Sequence, residues 1–489
     1  MNKQSEFACA IRARRSPRPW LRAGNLALLA LLLLFAGATA VAQSRPNIVL
    51  VLADDLGWRD VGYQGSDFYE TPNIDRLARE GMVFSQAYAG AGNCAPSRAV
   101  LLSGQYGPRH GVYAVNDTKR GPVPLMRMEP IPNKSGLAPA NVTMAEALKA
   151  AGYATGIFGK WHLGGREGAT PKEQGFDVVF DSRPNPNQRR DEPEDPKGVY
   201  SLTTAAIRFI EQNRERPFFA YVAHHAIHTA LEARPASLAK FKAKRAGAQH
   251  SAALYAACLY DLDDGVGRLL AKLRELGLDK NTLFVFTSDN GGTQQSSQEP
   301  LRGSKGGYYE GGIREPFIAY WPGVIRPGAT NETPVHNVDL YPTFLAAAGA
   351  KPPTQLDGES LLPLFKGAGR LRRQAIFWHF PGYLDAPVIR GRDAVFRTRP
   401  ISVIRKGDWK LHLYHEEWLL DGGRAALATN RAVELYNIRA DIGERKDLAN
   451  ANPRKRDELL RDLLQWFKAV DAPLPSERNP AYSPGGRAQ

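Results

Sequence analysis

The sequence predicts an α/β fold: a large, mostly parallel sheet sandwiched by helices, with a smaller C-terminal domain of antiparallel sheet plus a terminal helix. Two observations lead there. Four short apolar runs, rich in β-branched and aromatic residues and each ending abruptly in polar residues, alternate with helical patterns. From about residue 370 the pattern changes to short strands with turn signals, then one amphipathic helix. Strand alternating with helix implies a parallel sheet covered on both faces, and such sheets bind ligands outside the carboxyl ends of their strands.

The first 42 residues stand apart from this pattern. Arg12, Arg14, Arg15, Arg18 and Arg22 precede the apolar run LALLALLLLFAGATA, which closes on Ala40-Val41-Ala42. That is the layout of a cleaved secretory signal, and the apolar run is short for a membrane anchor. Arg14-Arg15 raises a twin-arginine route, but SPRPW after it fits poorly, and Cys9 precedes the apolar run and so is not placed for lipid attachment. The expectation is an exported protein, periplasmic or secreted, with no stable membrane anchor.

The strands come in order: NIVLVLA (47–53), ATGIFG (154–159), FFAYVA (218–223) and TLFVFTS (282–288). Between them lie TPNIDRLAREG, with Thr71 as N-cap and Pro72 at N1, then MAEALKAAGY, then SLTTAAIRFIEQN, for which Ser201 or a neighbouring threonine is the expected cap. DSRPNPNQRRDEPEDP (181–196) reads as a charged, proline-rich surface loop near substrate access. AIFWHF, SVIRKGDWKLHLY and ELYNI are the later short strands, and PRKRDELLRDLLQWFKAV the last helix. The expected organisation is a signal peptide at 1–42, an α/β domain at 44–368, a C-terminal α+β subdomain at 369–474 and a flexible tail at 475–489.

The formal charge is +14, and loss of residues 1–42 would remove six basic side chains and Glu6, leaving +9. There is no Lys/Arg-dense tract with interleaved aromatics, so nucleic acid is excluded in favour of an anionic small molecule or polysaccharide. The mature chain would keep Cys94 and Cys258. Cys258 sits in a strongly helical pattern and reads as a small buried apolar residue.

The residues just past each strand are chemically loaded: Asp54-Asp55, then Lys160-Trp161-His162, then His224, His225 and His228, then Asp289-Asn290. Oxygen donors, three of them carboxylates, suit calcium or magnesium better than zinc. Either aspartate pair alone could be an ordinary cap or turn; two pairs on one sheet edge favour a metal. In GNCAPSRAVLLSG (92–104), Pro96 fits the first turn of a helix ending at Gly104. Cys94 then lies at the positive end, facing an incoming anion, with Arg98 one turn on.

CAPSR followed by AVLLSG resembles the CxPSRxxLxxG signature of the type I, formylglycine-dependent sulfatases of the alkaline-phosphatase-like superfamily. DDLGW, TPNIDRLA, GKWHLG, SDNGG, PLRGSKGGYYEGGIREPF, DLYPTFLAAAG, LDGESLLPL, GDWKL and ELYNI resemble family blocks in family order, spanning Pro46 to about Ala449. The resemblance implies a sulfatase that hydrolyses an aryl or carbohydrate sulfate monoester, with Cys94 converted to Cα-formylglycine by a separate maturation enzyme. It implies further that Asp54, Asp55, Cys94, Asp289 and Asn290 hold the cation, usually calcium, with magnesium as the alternative. Arg98 would fix the formylglycine hydrate, and Lys160 and Lys305 would bind sulfate oxygens. His162 matches the residue that takes the proton when the sulfated intermediate collapses. His228 matches a histidine that, with Lys305, assists departure of the alcohol, although Ile227 and Ala230 replace the usual prolines and His224 and His225 lie close enough to share its role. His379 and His412 could line a substrate pocket, a structural role weighing more for each. The competing functions are a formylglycine-dependent phosphonate monoester or phosphodiester hydrolase and a non-catalytic anion- or glycan-binding protein.

Overall fold

The computed structural model describes residues 45–164, 169–182 and 192–484. The expected signal peptide and residues 485–489 of the expected tail lie outside the described residues. Among the described residues no helix is long and apolar enough to cross a membrane.

The four expected strands are found and stand side by side. Asn47–Ala53 pairs in parallel with Phe218–Ala223 on one side and Thr282–Ser288 on the other, and Ala154–Gly159 pairs in parallel with Phe218–Ala223. Four shorter strands complete an eight-stranded sheet: Val178–Phe180 at one edge, and Phe317–Tyr320, Met82–Phe84 and Ala329–Asn331 in that order toward the other. Phe317–Tyr320 runs antiparallel to both its neighbours.

The pleat sends alternate side chains to opposite faces. Ile48, Leu50 and Leu52 enter an apolar layer with the helices Cys94–Ser103, Met144–Ala150 and Leu340–Ala347. Val49, Val51 and Ala53 enter a second layer with Pro72–Glu80, Val199–Gln212 and Ala253–Glu275. With each fully buried Val or Leu contributing roughly 1.5–3 kcal/mol, this strand is fixed from both sides. Cys258 lies buried in the second layer, as expected.

The C-terminal region forms a four-stranded antiparallel sheet in the order Ala375–Phe380, Ile401–Lys406, Trp409–Tyr414, Val433–Asn437. SVIRKGDWKLHLY is thus a hairpin, not one strand. Leu459, Leu460 and Leu463 of the helix Pro453–Val470 cover one face, in a core that also takes Val100 from the Cys94–Ser103 helix. The other face carries Trp378, whose indole donates to Ala89 O (2.8 Å).

Three local expectations change. Thr143 forms a full capping box with Glu146, but Ser201 does not cap its helix. That helix begins at Val199 behind Gly198, and Asp195 Oδ1 accepts from the amides of Tyr200 (2.7 Å) and Ser201 (3.1 Å). The end of the 181–196 segment is therefore built into the fold. The first part of the expected tail is also held: Asn479 donates to Val123 O (2.9 Å) and Met126 O (2.8 Å), and Glu477 O accepts from Glu129 N (2.9 Å).

Candidate active site

The parallel ladder continues past the strand ends and sets the rim. Lys160 N donates to Ala223 O (2.8 Å), His224 N to Leu52 O (3.0 Å), Asp54 N to Ala226 O (3.0 Å) and Asp289 N to Ala53 O (3.1 Å). Every residue expected at a strand end therefore reaches the same edge.

The helix Cys94–Ser103 enters from one face, with Asn93 as N-cap, Pro96 in its first turn and all ten residues buried. Gly104 ends it at φ +64, and a Cβ there would press on Tyr341 Cδ1 at 2.7 Å. Asp54, Asp55 and Cys94 each offer a ligand atom, all within 4.8 Å of one another. Asn290 Nδ2 donates to Asp55 Oδ1 (2.9 Å). Among the described residues Asn290 Oδ1 and Asp54 Oδ1 are buried oxygens with no hydrogen-bond partner. Orphaned oxygens beside clustered carboxylates fit a hard divalent cation. Asp289 is beside them but engaged: Oδ1 accepts from Asp55 N (3.1 Å) and Oδ2 from Arg98 Nε (2.9 Å).

Three cations interleave with the three carboxylates. Arg98, wholly buried, ion-pairs with Asp289 (2.8 Å) and donates from Nη1 to Lys160 O (2.8 Å). Lys160 Nζ donates to Asp54 Oδ2 (2.6 Å), and Lys305 Nζ to Asp55 (2.6 Å to Oδ1). Lys305 is set by its own backbone: its amide donates to Gly292 O (2.8 Å), while Gly306 N donates to Gly92 O (2.6 Å), two residues before Cys94.

Burial would raise the Asp54 carboxyl, but Lys160, His228, Arg98 and Lys305 hold it well below the usual carboxylate range. Burial, reinforced by Asp54, pushes Asp289 up. Burial would lower Lys160 and Lys305, yet Asp54 and Asp55 respectively hold them above the ordinary lysine value. His162 falls to about 3, through burial and then the charges of Lys160 and Arg98. Its ring is therefore neutral near pH 7, and among the described residues its buried Nδ1 has no hydrogen-bond partner. Asp55 (φ 69) and His162 (φ 63) both occupy the left-handed region, strain of about 1–3 kcal/mol that tends to collect at functional sites.

The three histidines after the third inner strand separate. His228 Nε2 lies 3.8 Å from Asp55 Oδ2, with its side chain 18% exposed, and burial lowers its pKa against the pull of Asp54 and Asp55. The peptide bonds Ala226–Ile227 and Thr229–Ala230, at the two positions where Ile227 and Ala230 replace the usual prolines, are cis. His225 Nε2 pairs with Asp181 Oδ1 (2.8 Å). His224 is buried, and among the described residues neither ring nitrogen has a partner. His379 and His412 are buried and bonded, His379 to Ser402 Oγ (2.7 Å) and Pro473 O (3.0 Å), and His412 to Glu444 (3.2 Å). His412 also lines a cavity of about 210 Å³ beside the Lys305 loop. A larger cavity of about 740 Å³ lies elsewhere, near Arg373, Lys406 and Glu458, and holds none of these residues.

Residues 46–350 match the family model of the sulfatases. The chain belongs to the sulfatase family. Residues 304–465 also match the C-terminal model of N-sulphoglucosamine sulphohydrolase. Among relatives, human arylsulfatase A is 35% identical, covering 90% of each chain. N-acetylgalactosamine-6-sulfatase of Sus scrofa is 37% identical, covering 90% of this chain and 88% of the relative. The crystal structure of Ps i-CgsB in complex with k-i-k-neocarrahexaose superposes with a TM-score of 0.68 at 29% identity, covering 89% of this chain and 95% of that one. This sulfatase is thus a sulfuric ester hydrolase with aryl and carbohydrate sulfatase relatives.

Two neighbours of the site escaped the sequence reading. Asp181, which holds His225, sat in a segment read as surface loop; Arg397, beside Lys305, carried no motif. No sequence signal marked either.

Proposed function

We propose that this sulfatase cleaves sulfate monoesters on a carbohydrate or an aryl alcohol, with position 94 as Cα-formylglycine, installed by a separate maturation enzyme. The observation that carries the reading is Cys94 at a buried helix N-terminus, its Sγ within 4.8 Å of ligand atoms of Asp54 and Asp55. That sulfur stands where the oxygens of an aldehyde hydrate would be. A hydrate supplies two hydroxyls, one to attack sulfur and one whose deprotonation releases sulfate and restores the aldehyde.

Asp54, Asp55, Asp289 and Asn290, with position 94, would hold the cation, calcium or magnesium. When bound it supplies a Lewis acid for a sulfate oxygen and favours ionisation of a hydroxyl. The site's own residues do the rest. Three carboxylates balance Arg98, Lys160 and Lys305, so a divalent cation leaves an excess of two positive charges, suited to a sulfate group. Lys160 and Lys305, paired with Asp54 and Asp55, would turn their ammonium groups to sulfate oxygens. Arg98, fixed by Asp289 and Lys160 O, would hold the hydrate at position 94 in place. His228, beside Asp55, with Lys305 would deliver a proton to the departing alcohol oxygen as the S–O bond breaks. Neutral His162 would accept the hydrate proton on sulfate release. Water then rehydrates the aldehyde, and the sum is ester plus water to alcohol, sulfate and one proton.

The positive charge of the chain and relatives acting on sulfated sugars support a sulfated glycan as substrate, and the first 42 residues support export to the periplasm or beyond. Mass spectrometry of the peptide containing position 94, from protein made with a maturation enzyme, tests the nucleophile. Formylglycine in active protein and loss of aryl sulfate turnover in Cys94→Ala are expected; an unmodified thiol in active protein would sink the reading. Sulfate and phosphonate esters assayed side by side separate this reaction from phosphonate hydrolysis.

A further inference from the structure

Nearly every cation at the site has a carboxylate. Arg98, Lys160 and Lys305 pair with Asp289, Asp54 and Asp55, and Arg120 pairs with Asp385 (2.6 Å). Arg397 has no such pair among the described residues. It lies on the short strand Phe396–Thr398, which pairs with Leu384–Asp385.

Its side chain crosses Gly306, next to Lys305. Gly306 has φ +88, and a Cβ there would overlap Arg397 Cδ, so only glycine permits the crossing. Beyond it the guanidinium rests on main chain alone: Nη1 donates to Lys305 O (3.3 Å) and Nε to Ala386 O (3.3 Å). Among the described residues no carboxylate lies within 4.0 Å of it, and Nη2 has no hydrogen-bond partner. Burial lowers its pKa, and the neighbouring charge of Arg120 lowers it further, against a pull from Asp385 and Asp55. Arg120 has its charge met by Asp385, whereas the Arg397 guanidinium is held by main-chain oxygens alone, a setting that favours an anion beside Arg397.

Arg397 also opens onto the cavity of about 210 Å³ that runs from Gly307 and Tyr308 to Tyr414. On the same wall Arg392 and Arg399 are neutralised by Glu417 (2.7 Å) and Asp393 (2.5 Å). Arg397 thus sits one main-chain contact from Lys305 with its charge still available.

We propose that Arg397 determines specificity by binding a second anionic group, a carboxylate or sulfate carried by the part of the substrate adjoining the scissile ester. This rests on the sulfatase reading above. If Arg397 merely braced the Lys305 loop, its removal would weaken all substrates alike. A specificity role separates them.

The test compares disaccharides sharing one scissile sulfate, with a second sulfate, with a carboxylate, or with neither. The measured quantity is the preference, the ratio of kcat/KM for each dianionic sugar to that of the monosulfate. Arg397→Gln is expected to lower this preference roughly tenfold to a hundredfold, mainly through KM, as loss of a charge-assisted hydrogen bond would. Arg397→Lys should retain part of it, and the two dianionic sugars show which anion is preferred. In parallel, calorimetry of the same sugars with Cys94→Ala and Cys94→Ala/Arg397→Gln reads the preference without turnover. A preference near one in the parent, a preference that Arg397→Gln leaves unchanged, or equal losses on all sugars overturns the proposal. Failure of the parent to turn over any sulfate ester counts against the sulfatase reading instead, while the binding arm still decides the role of Arg397.

Discussion

Lys160 Nζ lies 2.6 Å from Asp54 Oδ2, across 106 residues of sequence, with side-chain exposures of 6% and 0%. An ion pair taken so far from water is a weak device for stability, because the desolvation of both charges offsets most of their attraction. On the proposed reaction, its value lies in keeping an ammonium group loaded beside Cys94. Removing the ammonium should therefore damage turnover more than folding alone explains. Lys160→Ala is expected to lower kcat on an aryl sulfate by about 10²–10³, the scale of losing one aimed electrostatic donor. Steady-state kinetics alongside a melting curve check this; a loss under threefold in folded protein would remove Lys160 from sulfate binding.

The same carboxylates give a metal prediction that does not depend on turnover. Among the described residues Asp54 Oδ1 and Asn290 Oδ1 are buried without partners, so a cation that satisfies them should stabilise the folded chain. Calcium at a hundred times its Kd adds about 2.7 kcal/mol by mass action. The expectation is a calcium-dependent rise in Tm after EDTA treatment, return of activity on readdition, and loss of both effects in Asp55→Asn. Full activity after complete chelation contradicts the cation role.

Much of this rim could be read from the sequence because strand ends are local features. A run such as NIVLVLA stops where its side chains leave the core, and the next two residues, Asp54 and Asp55, must then face the rim. Partnerships between distant segments leave no such mark. The Asp181–His225 pair joins a charged loop to a strand end 44 residues away, and Arg397 meets Lys305 across 92 residues. The antiparallel strand Phe317–Tyr320 was missed for a related reason: at four residues it is too short for periodicity to separate from loop. The displaced helix cap arose because Asp195, three residues ahead of Gly198, outcompetes Ser201 for the free amides.

His162 carries the pH prediction. Burial and then the charges of Lys160 and Arg98 lower its pKa to about 3, below the ordinary histidine value of about 6.5. The imidazole is then neutral at every pH above about 3, and protonation of His162 does not create an acid limb near pH 6.5. His162→Gln should reduce kcat by about 10²–10⁴ as a lost proton acceptor. Whatever acid limb the parent shows in kcat/KM should keep its position in the variant; a limb near 6.5 that vanishes in His162→Gln would contradict the depressed pKa.

Lys410 ties the C-terminal sheet to the loop that carries Lys305. It is fully buried, with Nζ 3.0 Å from Glu310 Oε1 and 2.9 Å from Glu444 Oε1. Glu310 also accepts from Tyr88 (2.8 Å) and Arg314 (2.9 Å), and its amide donates to Glu444 Oε2 (2.6 Å). Despite burial, Lys410, Arg314 and Arg405 hold the Glu310 carboxyl down at about 2, so it is charged throughout the working range. Removing Lys410 takes away the cation that helps hold Glu310 low and that opposes the burial pushing Glu444 up to about 7, the costly way to break a buried pair. Lys410→Met is expected to lose about 3–5 kcal/mol in urea unfolding, and Glu444→Gln in the same background should return part of that loss, because one carboxylate then keeps its charge and the other becomes neutral. Glu444→Gln alone should be milder, since Lys410 keeps Glu310. A double variant no more stable than Lys410→Met would mean that packing of the lysine stem, not its charge, holds the C-terminal sheet to the Lys305 segment.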